Sequence, residues 1–143
     1  MSRRVVVDGG RSRYRQEISV GPHRYQADEP VDAGGRDAGP DPYELLLIAL
    51  GSCVGITLRM YADRKQWPLE AVRVELSWAR VHMADCADCD DGLKFTDGIE
   101  MEISLFGDLS VSQRARLMDI ANKCPVHRTL SSPIQIQARE VLD

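Results

Sequence analysis

The chain lacks any long uncharged apolar run. Around its most hydrophobic segment the longest is Leu45 to Leu58, 14 residues, where about 20 are needed to cross a bilayer. Met1 to Arg15 holds no apolar stretch of the kind a secretory signal needs. Both absences point to a cytoplasmic protein with no membrane partner. There is no internal repeat and no low-complexity tail. Strands and helices do not alternate as βαβ units, which excludes a doubly wound fold. Disulfides are not required either: a chain of 143 residues buries roughly two-thirds of its unfolded surface and folds without them.

What is present is ordinary for a soluble globular domain. Hydrophobic residues make up 43% and charged residues 28%, which argues against disorder and fibres. The length fits one domain over residues 1–143. The net charge of −4 is unevenly spread. Arg3, Arg4, Arg11, Arg13, Arg15 and Arg24 crowd the first segment, and acids crowd residues 85–102. The arginines alternate with apolar and polar residues and lead into no aromatic or helical motif, so no nucleic-acid partner is expected.

Patterning predicts strands near 2–8, 12–20 and 23–28, with Gly21-Pro22 as a turn. A Gly- and acid-rich loop runs from Pro30 to Pro42. A helix then starts with Asp41 as N-cap, Pro42 at the first helical position and Glu44 at N3. It continues to about Lys65. Its middle is apolar on every face, so it is expected to be buried on every side, partly by a second subunit. After Pro68, Val72, Val74, Leu76 and Trp78 alternate as a strand over 71–81, and Ile99, Met101, Ile103 and Leu105 as another over 99–106. His82–Thr96 reads as an acidic loop between them. Ser110 or Ser112 caps a second helix, Val126–Leu130 forms a helical turn, and Ile134–Ala138 a last strand. The order βββ–α–ββ–αα–β is that of an α+β fold.

Four cysteines, 53, 86, 89 and 124, carry the chemistry to be weighed. In a reducing compartment such residues are catalytic, redox-active or metal-bound more often than disulfide-bonded. Cys53 alone reads as a small buried hydrophobe. Gly51 and Gly55 flank it, each costing about 1 kcal/mol inside a helix, and a close approach of backbone or ligand would compensate. Cys124 precedes a proline and opens a helical turn whose free N–H groups lower a thiol's pKa.

Gly34-Gly35, Gly39-Pro40-Asp41-Pro42-Tyr43-Glu44-Leu45-Leu46-Leu47, Ser52-Cys53 and Cys124-Pro125-Val126-His127 together resemble the OsmC/Ohr family of thiol-dependent peroxidases. The resemblance covers nearly the whole chain, strand order included. It implies an entwined homodimer whose antiparallel sheets wrap long central helices. It also implies a hydroperoxide substrate, a dithiol reductant and no cofactor or metal. By the same resemblance Cys53 is the peroxidatic cysteine and Cys124 the resolving one, which would close a Cys53–Cys124 disulfide. Glu44 and an N-terminal arginine would hold the thiolate. Arg11, Arg13 and Arg15 all fall at suitable offsets on what reads as one strand face, and Arg13 is favoured. Only a thiolate attacks an O–O bond, and arginine keeps its charge. A carboxylate can orient that arginine by a bidentate pair.

The acidic segment around Cys86-x-x-Cys89 departs from the family's best-studied branches and places the chain in a less characterised OsmC-like branch. Asp85, Asp88, Asp90 and Asp91 argue against a reactive thiol there, because negative neighbours raise a cysteine's pKa. The segment reads first as an inert loop, then as an accessory disulfide or a metal site with His82. His127 is either a base for Cys124 or a helix-terminal polar residue. Glu44 and Cys53 are nine residues apart, which sets them on opposite faces of one helix and about 13 Å apart along its axis. A site using both therefore needs a bridging arginine or a second subunit. The rival readings are a small-ligand binding module of the same fold and a metal or redox sensor centred on 82–91.

Overall fold

The structure, a computed structural model, describes residues 3–82 and 95–142. Cys86, Cys89 and most of the expected acidic loop lie outside the described residues. The chain divides into two compact units, Met1–Ile48 and Ala49–Asp143.

The first unit holds strands β1 (Val5–Gly9), β2 (Gln16–Val20) and β3 (His23–Ala27) in an antiparallel sheet of order β1-β2-β3. Val5 pairs with Val20, Gly9 with Gln16, and Gln16 in turn with Ala27. This register leaves only Gly21 and Pro22 between β2 and β3, and Gly21 takes φ 55° there, the left-handed region that suits glycine. It also leaves residues 10–15 as the β1–β2 turn. Arg11, Arg13 and Arg15 therefore do not share a strand face. The glycine pair Gly9-Gly10 ends the strand, and Arg13 itself is left-handed at φ 54°.

Beyond β3 the loop is organised by one carboxylate. Asp28 is 3% exposed. It accepts hydrogen bonds from the backbone N–H of Glu29 at 2.8 Å and from those of Arg36 and Ala38 at 3.2 Å each. The chain folds so tightly around it that a Cβ on Gly35 would lie 2.0 Å from Glu29 O, and one on Gly39 2.1 Å from Gln26 O. A single 3₁₀ turn, Val31–Ala33, sits within this loop.

Helix α1 (Pro42–Lys65) begins in the first unit and continues into the second. Its start is the expected capping box: Asp41 Oδ1 accepts from Glu44 N at 2.8 Å, and Glu44 Oε1 from Asp41 N at 2.9 Å. It is 24 residues long, with an 18-residue window of mean hydropathy 1.8, so by length and composition it could cross a bilayer. The shortness of its uncharged run does not exclude that. What marks it as a core helix is the stripe Leu50, Val54, Leu58, Ala62, four buried residues at i, i+4 spacing in the core of the second unit. Only that stripe is buried within the chain. Leu46, Ile48, Ile56 and Met60 are 41–60% exposed, so burial on every side is not achieved by one chain.

Strands β4 (Ala71–His82) and β5 (Phe95–Phe106) pair antiparallel from Ala71↔Phe106 to His82↔Phe95. The strands thus take up both described ends of the expected loop, and β5 starts at Phe95 because the ladder continues past the apolar alternation. Val72, Val74, Leu76 and Trp78 stand opposite Leu105, Ile103, Met101 and Ile99. The two period-2 patterns therefore share one face, and Val72, Val74, Leu76 and all four β5 residues pack on the core. Helix α2 (Val111–Ala121) is capped by Ser110, whose Oγ accepts from Gln113 N at 3.1 Å while Gln113 Oε1 accepts from Ser110 N at 2.9 Å. The reciprocal pair decides between Ser110 and Ser112. Leu117 and Ala121 carry α2 onto the stripe of α1. Leu58 and Leu117 have no exposure at all, and truncating such a leucine to alanine costs about 2–5 kcal/mol.

After α3 (Pro125–Leu130) the expected strand Ile134–Ala138 does not form. The segment is exposed, Ile134 at 55% and Ile136 at 87%, with no ladder partner in the described chain. Alternation alone does not make a strand without one.

Burial pushes the Asp28 carboxyl up, but the N–H groups of Ala38, Glu29 and Arg36, helped by Arg15, outweigh it and hold it below the ordinary 3.8. Its charge then favours the folded state above the unfolded value, and the contribution fades as pH falls through the depressed one. Asp28→Asn should lower the urea midpoint at pH 7, with the gap closing below pH 3.8. A gap independent of pH would assign the loss to shape instead of charge.

Candidate redox site

Two of the four cysteines meet. Cys53 lies in the middle of α1, half-buried, against the core cluster that contains Cys124. Cys124 is the N-cap of α3 and is fully buried at 0% exposure. Its Sγ accepts the backbone N–H of His127 at 3.3 Å, as a capping side chain does. Pro125 at the first helical position fixes the backbone that permits this. Both cysteines are free thiols, and Cys53 is near enough to act on the Cys124 thiol. The Cys53 Sγ also stands 3.9 Å from Thr57 Oγ1, one helical turn on.

The thiol pKa at Cys124 goes the other way from the expectation built on its N–H groups. Burial raises it most, and the neighbouring Cys53 pushes the same way. The N–H groups of His127 and Val126 oppose without winning. A helix N-terminus lowers a thiol's pKa when water still reaches the sulfur; here none of the sulfur is exposed, and desolvation dominates. Cys124 is thus a protonated thiol at neutral pH.

The two glycines beside Cys53 differ. A Cβ on Gly51 would come within 2.8 Å of Leu76 Cδ1, so β4 does approach closely there. Around Gly55 nothing lies within 4 Å, because that face of α1 is uncovered in the chain.

Glu44 and Arg13 belong to the first unit, where both have local partners. The Glu44 carboxylate closes the capping box on an exposed helix end. Arg13 Nη1 donates to Gly34 O at 2.8 Å. Arg15 Nε pairs with Glu17 Oε1 at 3.3 Å. Among the described residues no group of three or more His, Cys, Asp and Glu could hold a metal. A cleft of about 310 Å³ opens in the second unit, lined by Leu50, Trp78, Ile99 and Met101 together with Asp97 and His127. Leu50 is three residues before Cys53, and His127 three after Cys124. Sequence reasoning overlooked Thr57, for which the i+4 spacing from Cys53 was the available signal, and Asp28, for which there was none.

The family model for OsmC-like proteins matches residues 34–139. The chain belongs to the OsmC-like family. The matched span crosses both compact units and includes both meeting cysteines. Solved structures agree on the fold. An OsmC-like protein from Mycoplasma pneumoniae superposes with TM-score 0.71 at 17% identity, over 92% of this chain and 88% of that one. An organic hydroperoxide resistance protein OsmC from Legionella pneumophila gives 0.61 at 17%, over 91% and 89%. The organic hydroperoxide resistance protein OhrB of Bacillus subtilis gives 0.55 at 21%, over 90% of each. No curated protein matches the chain.

The unequal burial of the OsmC-like thiol pair has a direct readout. Iodoacetamide on the native, reduced protein should label Cys53 well before Cys124. Cys124 should become competitive only on unfolding or at pH above its raised value. Peptide mapping that found Cys124 labelled first would reverse the assignment of the two sulfurs.

Proposed function

We propose that this protein is a cysteine-based peroxidase that reduces organic hydroperoxides, and inorganic peroxide less well, through Cys53 and Cys124. The observation that carries the reading is that a half-buried thiol, Cys53, packs on the cluster that holds a fully buried, protonated one, Cys124. The Cys53 thiolate attacks the outer oxygen of ROOH; the O–O bond breaks, ROH leaves with a proton, and Cys53 becomes a sulfenic acid. The Cys124 thiol, already adjacent, displaces water from that sulfenic acid and closes a disulfide. A dithiol then returns both cysteines to thiols, taking the disulfide itself. Capture by an adjacent thiol forestalls irreversible over-oxidation. The apolar part of the cleft's lining, Leu50, Trp78, Ile99 and Met101, suits a substrate with a carbon body.

The working form under this reading is a homodimer in a reducing, cytoplasmic compartment. The support is physical: Ile56 at 60% and Met60 at 59% exposure, beside the bare Gly55, leave an apolar face on α1 that water should not meet. Arg13 and Glu44 are assigned to holding the Cys53 thiolate. Glu44 and Cys53 are nine positions apart on one continuous helix, so we assign Glu44 of one subunit to Cys53 of the other. A ligand-binding module with the same cleft is the second reading, and turnover separates the two.

Cumene hydroperoxide with a dithiol should be consumed, with kcat/KM at least about tenfold above that for hydrogen peroxide, roughly the worth of a few buried methylenes. Limiting hydroperoxide should produce one intramolecular Cys53–Cys124 disulfide, and Cys124→Ser should leave Cys53 open to sulfinic acid. No consumption, or oxidation confined to Cys86 and Cys89, would end the scheme.

The shared site is tested by subunit complementation. Glu44→Ala and Cys53→Ser proteins, each inactive, should regain part of the activity when their dimers exchange. Verified heterodimers as dead as the parents would return Glu44 to its capping role alone.

A further inference from the structure

We infer that Thr57 is a positioning residue for the Cys53 sulfur, donating its hydroxyl to the thiolate from one turn further along α1. The inference rests on the peroxidase reading above and adds to it a group from the same chain and the same unit.

The run Leu45–Leu58 is otherwise aliphatic, and its only side-chain hydroxyls are Ser52 and Thr57. Ser52 is adjacent to Cys53 and, at about 100° per residue, points to a different face. Thr57 is at i+4, which stacks it over Cys53 on one face. Its Oγ1 stands 3.9 Å from Sγ, and both side chains are half-buried. In the thiol form either atom can donate. In the thiolate form sulfur only accepts, so the hydroxyl must donate, and the contact tightens as charge-assisted bonds do. Hydrogen bonds of a resting site are commonly long and shorten when charge develops.

The remaining surroundings leave this donor a clear place. The Cys124 thiol neighbours Cys53 from the start of α3, but it is consumed on resolution and cannot hold the sulfur through the whole cycle. A hydroxyl on the same helix stays at fixed offset in thiolate, sulfenate and disulfide alike. Arg13 and Glu44, the charged groups assigned to the site, come from the first unit. The ordinary alternative for a helical threonine is a hydroxyl bonded back to the i−4 carbonyl, which here is that of Cys53 itself. That role would leave the sulfur's reactivity untouched, and this separates the two.

The experiment compares Thr57→Val, Thr57→Ala and Thr57→Ser in the whole protein. Valine keeps the shape, alanine favours the helix, and serine keeps the hydroxyl. Circular dichroism checks that each folds. The first readout is the pH dependence of Cys53 alkylation, which needs no peroxide. The second is the rate of Cys53 oxidation by cumene hydroperoxide. Valine and alanine should shift the alkylation midpoint to higher pH and slow oxidation about 3- to 10-fold, the worth of one net hydrogen bond. Serine should stay within about twofold of wild type on the same scale. A midpoint and rate unchanged in valine and alanine would overturn the inference. So would equal losses in all three variants. If even the wild type consumes no hydroperoxide, the peroxidase reading falls, while the alkylation midpoint still decides whether Thr57 serves the sulfur.

Discussion

A thiol sealed from water at the head of α3 lies in the apolar cluster on which a second thiol, in the middle of α1, is packed, and much of the second unit builds that cluster. α1 supplies a rigid rod, its buried stripe of Leu50, Val54, Leu58 and Ala62 fixing its rotation. α2 packs Leu117 and Ala121 on that stripe and ends three residues before Cys124. Pro125 and the bond from His127 N then leave the second sulfur little freedom. Because Cys124 lies within the apolar cluster, its position depends on the same packing that stabilises the unit. Dry surroundings keep it protonated, so the more exposed partner is the one able to meet an electrophile.

In the first unit a carboxylate plays the corresponding role. Asp28 gathers three backbone N–H groups that a Gly-rich loop could not otherwise satisfy. The glycines Gly35 and Gly39 are needed because the chain passes within van der Waals contact of its own carbonyls. The loop ends where Asp41 and Glu44 cap α1, so the start of the long helix is set by polar bonds and its course by apolar ones. This division explains how Glu44 can be a structural cap in one chain and still present a carboxylate at an exposed helix end.

The elements legible in the sequence were those with a strong local signal. The Asp41-Pro42-x-Glu44 start, the strand β4 and the Cys124-Pro125 break appear within a residue or so of their expected places, and β5 ends where expected but starts four residues earlier. Three things were not legible, for separate reasons. The arginines 11–15 read as strand because alternation does not reveal where a ladder stops, which depends on the partner's register. The Cys124 pKa was misjudged because N–H donors are visible in sequence and burial is not. Ile134–Ala138 carries the pattern of a strand but finds no partner within the described chain. The meeting of Cys53 with Cys124 across 71 positions came from family resemblance, since no spacing rule brings such distant residues together.

Those misreadings share a direction with the uncovered part of α1. Pattern in a sequence records every surface the chain is built to bury, including those buried only by another chain. Leu46, Ile48, Ile56 and Met60 on the helix, and Ile134 and Ile136 beyond α3, are apolar in periodic fashion yet exposed. Each would cost free energy in water, about 25 cal/mol for every Å² left uncovered. The helical set falls on the element expected to need a second subunit, and the extended set on the one whose strand reading failed. One chain alone buries only one stripe of α1, and pairing failed for 134–138. The homodimer proposed above would give the helical set a surface to bury against. In such a dimer a carboxylate and a sulfur from different chains could share one site, which is one of the two routes, beside a bridging arginine, that the opposite-face spacing of Glu44 and Cys53 leaves to a site that uses both.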